Sequence, residues 1–173
     1  MTPDEYHAVL TFAARAHRDQ RTPHGLPYLT HVCMVAAEVD LALRTRHDVD
    51  HDLAVRCALL HDVIEDTPVT EAEVAEEFGR AVAAGVLALS KDAALPKPER
   101  MPDSLRRICE QPLEVAAVKL ADRTVNLGPP PPHWTAEKCE AYRREAQLIL
   151  DTLGHADPTL AARLTHRIAR YPA

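Results

Sequence analysis

Small apolar residues recur along this chain at spacings of three and four. Ala, Leu and Val repeat in this way in 53–60 and 115–121, whereas the aromatic residues are only two Phe, one Trp and four Tyr. Side chains three and four apart lie on one face of an α-helix, while a half-buried strand alternates at a spacing of two. The pattern therefore predicts an all-α fold in which small side chains fill the core.

Capping residues mark several helix starts. Thr2-Pro3-Asp4-Glu5 combines an N-cap, a Pro in the first turn and a capping-box Glu, 70–73 repeats the capping box, and Asp157-Pro158 offers a third start. Proline and glycine place loops at 21–28, 91–102 and 128–132. We expect about nine helices, at roughly 3–20, 30–45, 51–65, 70–78, 80–90, 102–110, 112–126, 135–153 and 158–170.

Length and charge limit the kind of protein that this chain can form. It has 173 residues, the size of one domain, so we expect a single domain over 1–173. The formal charge is −6, with no cluster of Lys and Arg, which argues against nucleic acid or a membrane as partner. An anionic small molecule stays open, because a metal ion and a few Arg can reverse the field inside one cleft.

The N-terminus and the cysteines indicate where the protein works. Residues 1–5 are acidic and lack the pattern of a signal peptide, and no apolar run reaches membrane-spanning length. The cysteines at 33, 57, 109 and 139 are far apart and form no C-x-x-C pair, which favours reduced core thiols over disulfides or zinc. We therefore expect a soluble cytoplasmic protein, and the sequence makes no prediction of its oligomeric state.

Four polar side chains interrupt the apolar run at 59–67. They are His61, Asp62, Glu65 and Asp66. Burying such groups without partners is costly, so a chain that places them there has something for them to bind. A His followed by Asp can offer a nitrogen and an oxygen to one point, a mixed set that suits a divalent transition metal. The two later carboxylates follow one helical turn further on, beside the same point.

The His-Asp doublet is weak evidence by itself. Composition predicts about 0.75 such doublets by chance, and the chain has three. We interpret His47-Asp48 and His51-Asp52, in a polar segment, as solvated side chains and helix caps. His61-Asp62 differs because it ends an apolar helix and precedes two more carboxylates.

Two further residues could complete a metal site. His31 opens an apolar helix, and Asp122 lies within the apolar helix at 115–123. Taken singly, His31 fits a capping or packed histidine better than a ligand, and Asp122 fits an ion-paired core carboxylate equally well. Together with His61 and Asp62, they would supply four protein ligands to one metal ion, and water would fill the remaining coordination positions.

Taken in chain order, five segments of the sequence resemble the motifs of the HD-domain (p)ppGpp hydrolases, which form the hydrolase part of SpoT-type alarmone enzymes. The similarity is closest to their small stand-alone relatives, the metazoan SpoT homologues, which also lack a synthetase domain. It covers nearly the whole chain and implies an HD-domain helical bundle. The segments that carry it are 21–31, 59–67, Phe78-Gly79, Lys119–Arg123 with Asn126, and Trp134 with Tyr142.

The resemblance implies a role for each matching residue. One Mn²⁺ ion would be held by His31, His61, Asp62 and Asp122. The Glu65-Asp66 pair would orient or deprotonate the attacking water. Substrate contacts would come from Asn126 at the ribose, from Arg21 at the base, and from three other residues of the same motifs, Tyr28, Lys119 and Arg123.

The implied activity is a Mn-dependent guanosine-3′,5′-bis(diphosphate) 3′-pyrophosphohydrolase, which cleaves (p)ppGpp to GDP or GTP and pyrophosphate. The chain departs from the family pattern near the base and the ribose, with Thr22 in place of a second basic residue and Gly128-Pro129 where an Arg and a Thr are frequent. These departures keep open a related HD phosphohydrolase that acts on the 2′-phosphate of NADPH or on another nucleotide.

Two hypotheses in which the protein is not an enzyme also remain. A nucleotide-sensing module would bind an alarmone without cleaving it, but such a module has no need of the Glu65-Asp66 pair. A purely structural helical protein would fit the Ala-rich helices, and it leaves Asp62 and Asp122 unexplained.

Overall fold

The computed structural model describes residues 1–172, and its regular structure there is almost entirely helical. The all-α prediction is confirmed. One isolated bridge, between Arg21 and Pro27, closes the loop between the first two helices. In chain order the helices are α1 (Pro3–Ala16), α2 (Leu29–Leu43), α3 (His51–Leu60), α4 (Val63–Asp66), α5 (Glu71–Phe78), α6 (Arg80–Leu89), α7 (Lys97–Cys109), α8 (Leu113–Asn126), α9 (Ala136–Leu153) and α10 (Pro158–Arg170).

The helix starts that the capping residues predicted are confirmed. Thr2 and Thr70 each form a reciprocal capping box with the Glu three residues later. The Asp157 side chain accepts a hydrogen bond from the Leu160 amide at the start of α10. These signals are local, because a cap depends only on residues of the same turn.

Three expected boundaries differ from the structure. Helix α1, expected to reach residue 20, ends at Ala16. The helix expected over 51–65 is interrupted, since α3 ends at Leu60 and α4 begins at Val63. The expected loop at 91–102 is shorter, because α7 already begins at Lys97. Pro98 lies in its first turn, where a missing N–H costs little, and burial of Met101 beside Pro102 holds the next turn in the core.

Helix α8 is the centre of the bundle. Its residues from Glu114 to Thr124 are all buried, and it packs against α2, α3, α6, α7, α9 and α10. A Cβ added at Gly85 of α6 would lie 2.8 Å from Cys57 Sγ and 3.1 Å from Val115 Cγ2. Glycine therefore lets α6 approach α3 and α8 closely.

The remaining expectations on the fold concern cysteines, membranes and domains. The four cysteines are free, and burial raises the pKa of the Cys57 thiol to about 12. Over residues 1–172, no helix is long and apolar enough to cross a bilayer. The assignment of the whole chain to one domain stays a prediction.

Candidate active site

The interruption between α3 and α4 places the His61-Asp62 doublet. His61 caps the C-terminus of α3, and its Nδ1 donates a hydrogen bond to the Ala58 carbonyl at 2.8 Å. The other ring nitrogen, Nε2, then carries the lone pair. It lies 3.0 Å from Asp62 Oδ2. The change of direction after α3 thus brings both members of the doublet to one point.

Two other helices bring the remaining predicted ligands to that point. His31 comes from the first turn of α2, and its Nε2 lies 3.2 Å from His61 Nε2 and 3.4 Å from Asp122 Oδ1, on α8. His31 Nε2 and Asp62 Oδ2 are 3.7 Å apart, as are His61 Nε2 and Asp122 Oδ1. Ligand atoms about 2.1 Å from one metal ion, at right angles, are about 3 Å apart. Ligand atoms of His31, His61 and Asp122 all lie within 4.8 Å of one another, which fits one divalent ion, and Asp62 joins this group from the side of His61.

The charges of the cluster also fit a cation. Two imidazole nitrogens 3.2 Å apart cannot both present a lone pair, or both an N–H, without repulsion, and an ion between them removes the conflict. Burial disfavours a charged Asp122, but Lys119 and the two imidazoles hold the pKa of this carboxyl well below its ordinary value. Burial acts to lower the pKa of His61, but Asp62 and Asp122 raise it above the ordinary value of a histidine. The two carboxylates therefore favour a positive charge at this point. His31, His61 and Asp122 are all buried, so each of them needs a partner that compensates for the loss of solvent.

Three residues that the resemblance placed at the substrate contact the candidate ligands instead. The Tyr28 hydroxyl donates to Asp62 Oδ2 at 2.5 Å, Asn126 Nδ2 donates to Asp122 Oδ1 at 2.5 Å, and Lys119 Nζ lies 3.1 Å from Asp122 Oδ2. Burial and the Asp62 charge raise the pKa of Tyr28, so its hydroxyl keeps its proton. Such contacts orient a carboxylate toward a metal ion. A role of these residues in substrate binding stays a prediction.

Glu65 is held at both of its carboxylate oxygens by one residue. Lys91 Nζ lies 2.5 Å from Glu65 Oε1, and the Lys91 backbone N–H donates to Oε2 at 2.8 Å. Burial would lower the pKa of Lys91, but the Glu65 charge raises it, so the ammonium stays protonated. Lys91 could not be recognised from the sequence, because a lone Lys after an apolar helix carries no signal of its partner.

Asp66 lies beside Glu65 but is held differently. Its Oδ2 accepts a hydrogen bond from Gln20 Nε2 at 2.8 Å. Desolvation raises the pKa of Asp66, the Gln20 hydrogen bond acts against that shift, and the Asp62 and Glu65 charges add to it. Gln20, at the end of the α1 region, was also missed by the sequence analysis.

The two predicted arginines have very different surroundings. Arg21 is exposed at the base of the loop that the Arg21–Pro27 bridge closes. Arg123 is only 4 % exposed, lies over the Tyr142 ring at 4.2 Å, and donates through Nη2 to Glu145 at 2.5 Å. The structure thus leaves Arg21 free for a ligand and uses Arg123 to join α8 to α9.

The loop after α1 contacts the loop after α8. His24 Nε2 lies 3.2 Å from the Pro129 carbonyl oxygen, which joins the two loops. Gly25 in the first loop has φ +81°, a conformation that favours glycine. Thr22 and the Gly128-Pro129 pair, where the chain departs from the family pattern, therefore lie in two loops that are in contact.

Comparisons with known proteins identify the family of the chain. Residues 9–160 match the family model of the HD domain. The chain is 31% identical to the guanosine-3′,5′-bis(diphosphate) 3′-pyrophosphohydrolase MESH1 of Danio rerio over 90% of its own length and 88% of the relative. It is 40% identical to the guanosine-3′,5′-bis(diphosphate) 3′-pyrophosphohydrolase of Haemophilus influenzae, over 66% of this chain and 17% of that longer protein.

A solved structure gives the same answer for the fold. A metazoan orthologue of SpoT, described as hydrolysing ppGpp, superposes with a TM-score of 0.86 at 27% identity, covering 98% of this chain and 97% of the other. The resemblance inferred from the motifs is confirmed. The chain is therefore a hydrolase of the HD-domain family, in the group that contains the MESH1 proteins and the SpoT hydrolases.

Proposed function

We propose that this protein is a metal-dependent guanosine-3′,5′-bis(diphosphate) 3′-pyrophosphohydrolase, which converts (p)ppGpp and water to GDP or GTP and pyrophosphate. One observation carries the proposal. The His31, His61, Asp62 and Asp122 side chains converge on one point, and the Glu65-Asp66 pair follows on the adjoining turn. Relatives with nearly the same length as this chain carry that activity in their names, which supports the substrate.

The proposed cofactor is one Mn²⁺ ion. Two carboxylates and two imidazoles, with water in the open positions, are a donor set that Mn²⁺ accepts. A divalent ion bound there would lower the pKa of a nearby water and neutralise charge on a phosphoryl oxygen. Tyr28, Lys119 and Asn126 would fix the carboxylates that hold it.

The two carboxylates of the Glu65-Asp66 pair have different proposed roles. Lys91 occupies both oxygens of Glu65, so Glu65 would hold the Lys91 ammonium in place for a substrate phosphate. Asp66 has one oxygen engaged, by Gln20, and its raised pKa makes it the better proton acceptor near neutral pH. We therefore assign general-base catalysis to Asp66.

The proposed reaction is a hydrolytic displacement at the phosphorus attached to the ribose 3′ oxygen. Asp66 takes a proton from the attacking water as the new P–O bond forms. The bond from phosphorus to the 3′ oxygen breaks, and that oxygen keeps the electron pair and takes up a proton. Pyrophosphate and GDP leave when the substrate is ppGpp.

The substrate would bind beside the cluster. In this proposal the exposed Arg21 would contact the base, and the exposed Asn126, one helical turn after Asp122, would contact the ribose. We further propose a cytoplasmic location and a single domain, with a small nucleotide rather than nucleic acid as partner. The free cysteines are consistent with a reducing compartment.

A second candidate substrate is NADPH, whose 2′-phosphate would be removed, or another nucleotide. The observation that favours it is the neutral character of Thr22, Gly128 and Pro129, which lie in two loops joined by the contact of His24 with the Pro129 carbonyl. These three side chains offer no charged group that would select one phosphorylated nucleotide over another.

A substrate panel tests the proposal. Mn²⁺-loaded protein is incubated with ppGpp, pppGpp and NADPH, and the products are separated by ion-exchange chromatography. We expect GDP or GTP and pyrophosphate from the first two substrates. Inert ppGpp and pppGpp would overturn the proposed activity, and phosphate from NADPH alone would move the assignment to the second candidate.

A pair of matched variants ties that activity to the site. His61→Ala should lose bound Mn²⁺ and turnover together. His47→Ala changes a histidine of another His-Asp doublet, one that lies exposed and away from the cluster, and should change neither. Equal turnover in the two variants would exclude this site.

A further inference from the structure

Two residues near the end of α1 are linked to Asp66, although no motif used above includes them. His17 is the C-cap of α1 and is only 3 % exposed, and Gln20 follows one turn later. His17 Nδ1 lies 2.7 Å from Gln20 Oε1, and Gln20 Nε2 lies 2.8 Å from Asp66 Oδ2. A continuous hydrogen-bond chain thus runs from a buried histidine to the proposed base.

The direction of this chain follows from its acidic end. An ionised carboxylate only accepts hydrogen bonds, so the Gln20 amide must turn its NH₂ group toward Asp66 and its carbonyl oxygen toward His17. That oxygen also only accepts, so the proton of the neutral imidazole must lie on Nδ1. With Gln20 in between, Asp66 therefore sets the tautomer of His17.

The other ring nitrogen of His17, Nε2, supports the same tautomer. It is buried and has no hydrogen-bond partner among residues 1–172. A proton placed on Nε2 would therefore lack an acceptor, whereas a proton on Nδ1 is donated to the Gln20 oxygen. The hydrogen bond that His17 makes is thus the one that orients Gln20.

Packing keeps His17 fixed at the far end. Its ring lies against the Tyr28 ring, with centroids 4.9 Å apart, and Tyr28 in turn lies 5.2 Å from the His31 ring. The Tyr28 hydroxyl donates to Asp62. The same aromatic stack therefore supports a candidate metal ligand on one side and the Gln20 chain on the other.

We propose that His17 and Gln20 are positioning residues, which hold Asp66 by its Oδ2 so that Oδ1 is the oxygen that takes the proton from water. This inference rests on the proposed role of Asp66 as the base. When Oδ2 is occupied by a donor, a proton added to the carboxyl goes to the other oxygen. Without the chain, the carboxylate plane is free to rotate and directs an oxygen at the water for only part of the time.

Kinetics of isosteric variants test the chain. Gln20→Met keeps the length of the side chain and removes the donor, and we expect kcat to fall about tenfold, the usual effect of losing a hydrogen bond to a charged group, with KM unchanged. Gln147→Met is the matched control, because it removes another Gln to Asp hydrogen bond of 2.8 Å, within α9. It should leave kcat and KM as they are.

A double-mutant cycle separates positioning from packing. His17→Phe keeps a ring against Tyr28 but removes the Nδ1 donor, so it should lower kcat, by less than Gln20→Met does. In the Gln20→Met background the same change should have almost no further effect, because His17 would act only through Gln20. Additive effects of the two changes on kcat, or wild-type kcat in Gln20→Met, would overturn the proposal.

A spectroscopic readout does not depend on activity. Long-range ¹H–¹⁵N spectra of the histidine rings should show the Nδ1–H tautomer for His17, assigned from the signals that disappear in His17→Phe. Gln20→Met should change that tautomer, and Gln147→Met should not. If wild-type protein is inactive on every substrate while these spectra behave as expected, the proposed function fails and the chain stands. If wild-type protein hydrolyses ppGpp and His17 carries its proton on Nε2, the chain fails and the function stands.

Discussion

Replacing Lys91 by Met should separate the effect of this residue on activity from its effect on stability. In the free protein its ammonium pairs with Glu65 at 2.5 Å, and the two side chains are 32 % and 22 % exposed. The pair is partly buried, so we expect its contribution to folding to lie near the upper end of the about 0–1 kcal/mol that exposed pairs make. The backbone N–H of residue 91 would still hold the other Glu65 oxygen, so the melting temperature should change little.

The expected effect on catalysis is much larger. If Lys91 donates to a substrate phosphate, its loss removes a charge-assisted hydrogen bond, which contributes about 1.5–3 kcal/mol. The corresponding fall in kcat/KM is about 10- to 100-fold. Lys91→Arg keeps the charge in a different shape and should be intermediate.

The assay is steady-state hydrolysis of ppGpp with saturating Mn²⁺, together with thermal unfolding. Arg56→Met is the control, since Arg56 pairs with Glu5 at 2.9 Å and is partly exposed, as Lys91 is, but lies away from the cluster. It should keep full activity. An unchanged kcat/KM in Lys91→Met, or a loss that is matched by a comparable loss of stability, would refute the assignment of Lys91 to phosphate binding.

Three further predictions follow from individual contacts. Tyr28→Phe removes the hydroxyl that donates to Asp62 and should weaken Mn²⁺ binding about tenfold in calorimetry; unaltered affinity would show that Asp62 needs no such support. Gly85→Ala puts a Cβ 2.8 Å from Cys57 Sγ and should destabilise the fold by about 1–3 kcal/mol in urea unfolding, whereas stability equal to wild type would mean that α6 can shift. The pKa of Asp66 is raised, and Asp66 must be ionised to act as the base. As the pH is lowered, kcat should therefore begin to fall at a higher pH than the pKa of an ordinary Asp would give. A kcat that stays level down to the pH range of an ordinary Asp would contradict the role of Asp66 as the base.

The sequence predicted those parts of the fold that depend on local signals. Thr2, Thr70 and Asp157 cap their own helices, so their positions needed no knowledge of the tertiary structure. The interruption after Leu60 could not be predicted in this way, because the apolar pattern continues through it. The early start of α7 could not be predicted, because prolines usually indicate a loop. Whether a helix accommodates Pro98 and Pro102 depends on where that helix begins and on what it packs against.

The same division holds for the candidate site. The proposed ligands stand out in the sequence because each is a polar residue in an apolar helix, and the resemblance connected them. Gln20 and Lys91 lack such a signal, and their partners lie 46 and 26 residues away along the chain. Contacts of this kind arise only when the helices pack, and so the supports of Glu65 and Asp66 emerged from the structure alone.

The most direct test of the metal site is a crystal structure of Mn²⁺-soaked protein with anomalous data collected at the manganese edge. We expect one strong peak, about 2.0–2.2 Å from His31 Nε2, His61 Nε2 and one oxygen each of Asp62 and Asp122. A peak at another site, or none at this cluster under saturating Mn²⁺, would contradict the central claim that these four residues form the metal centre of the enzyme.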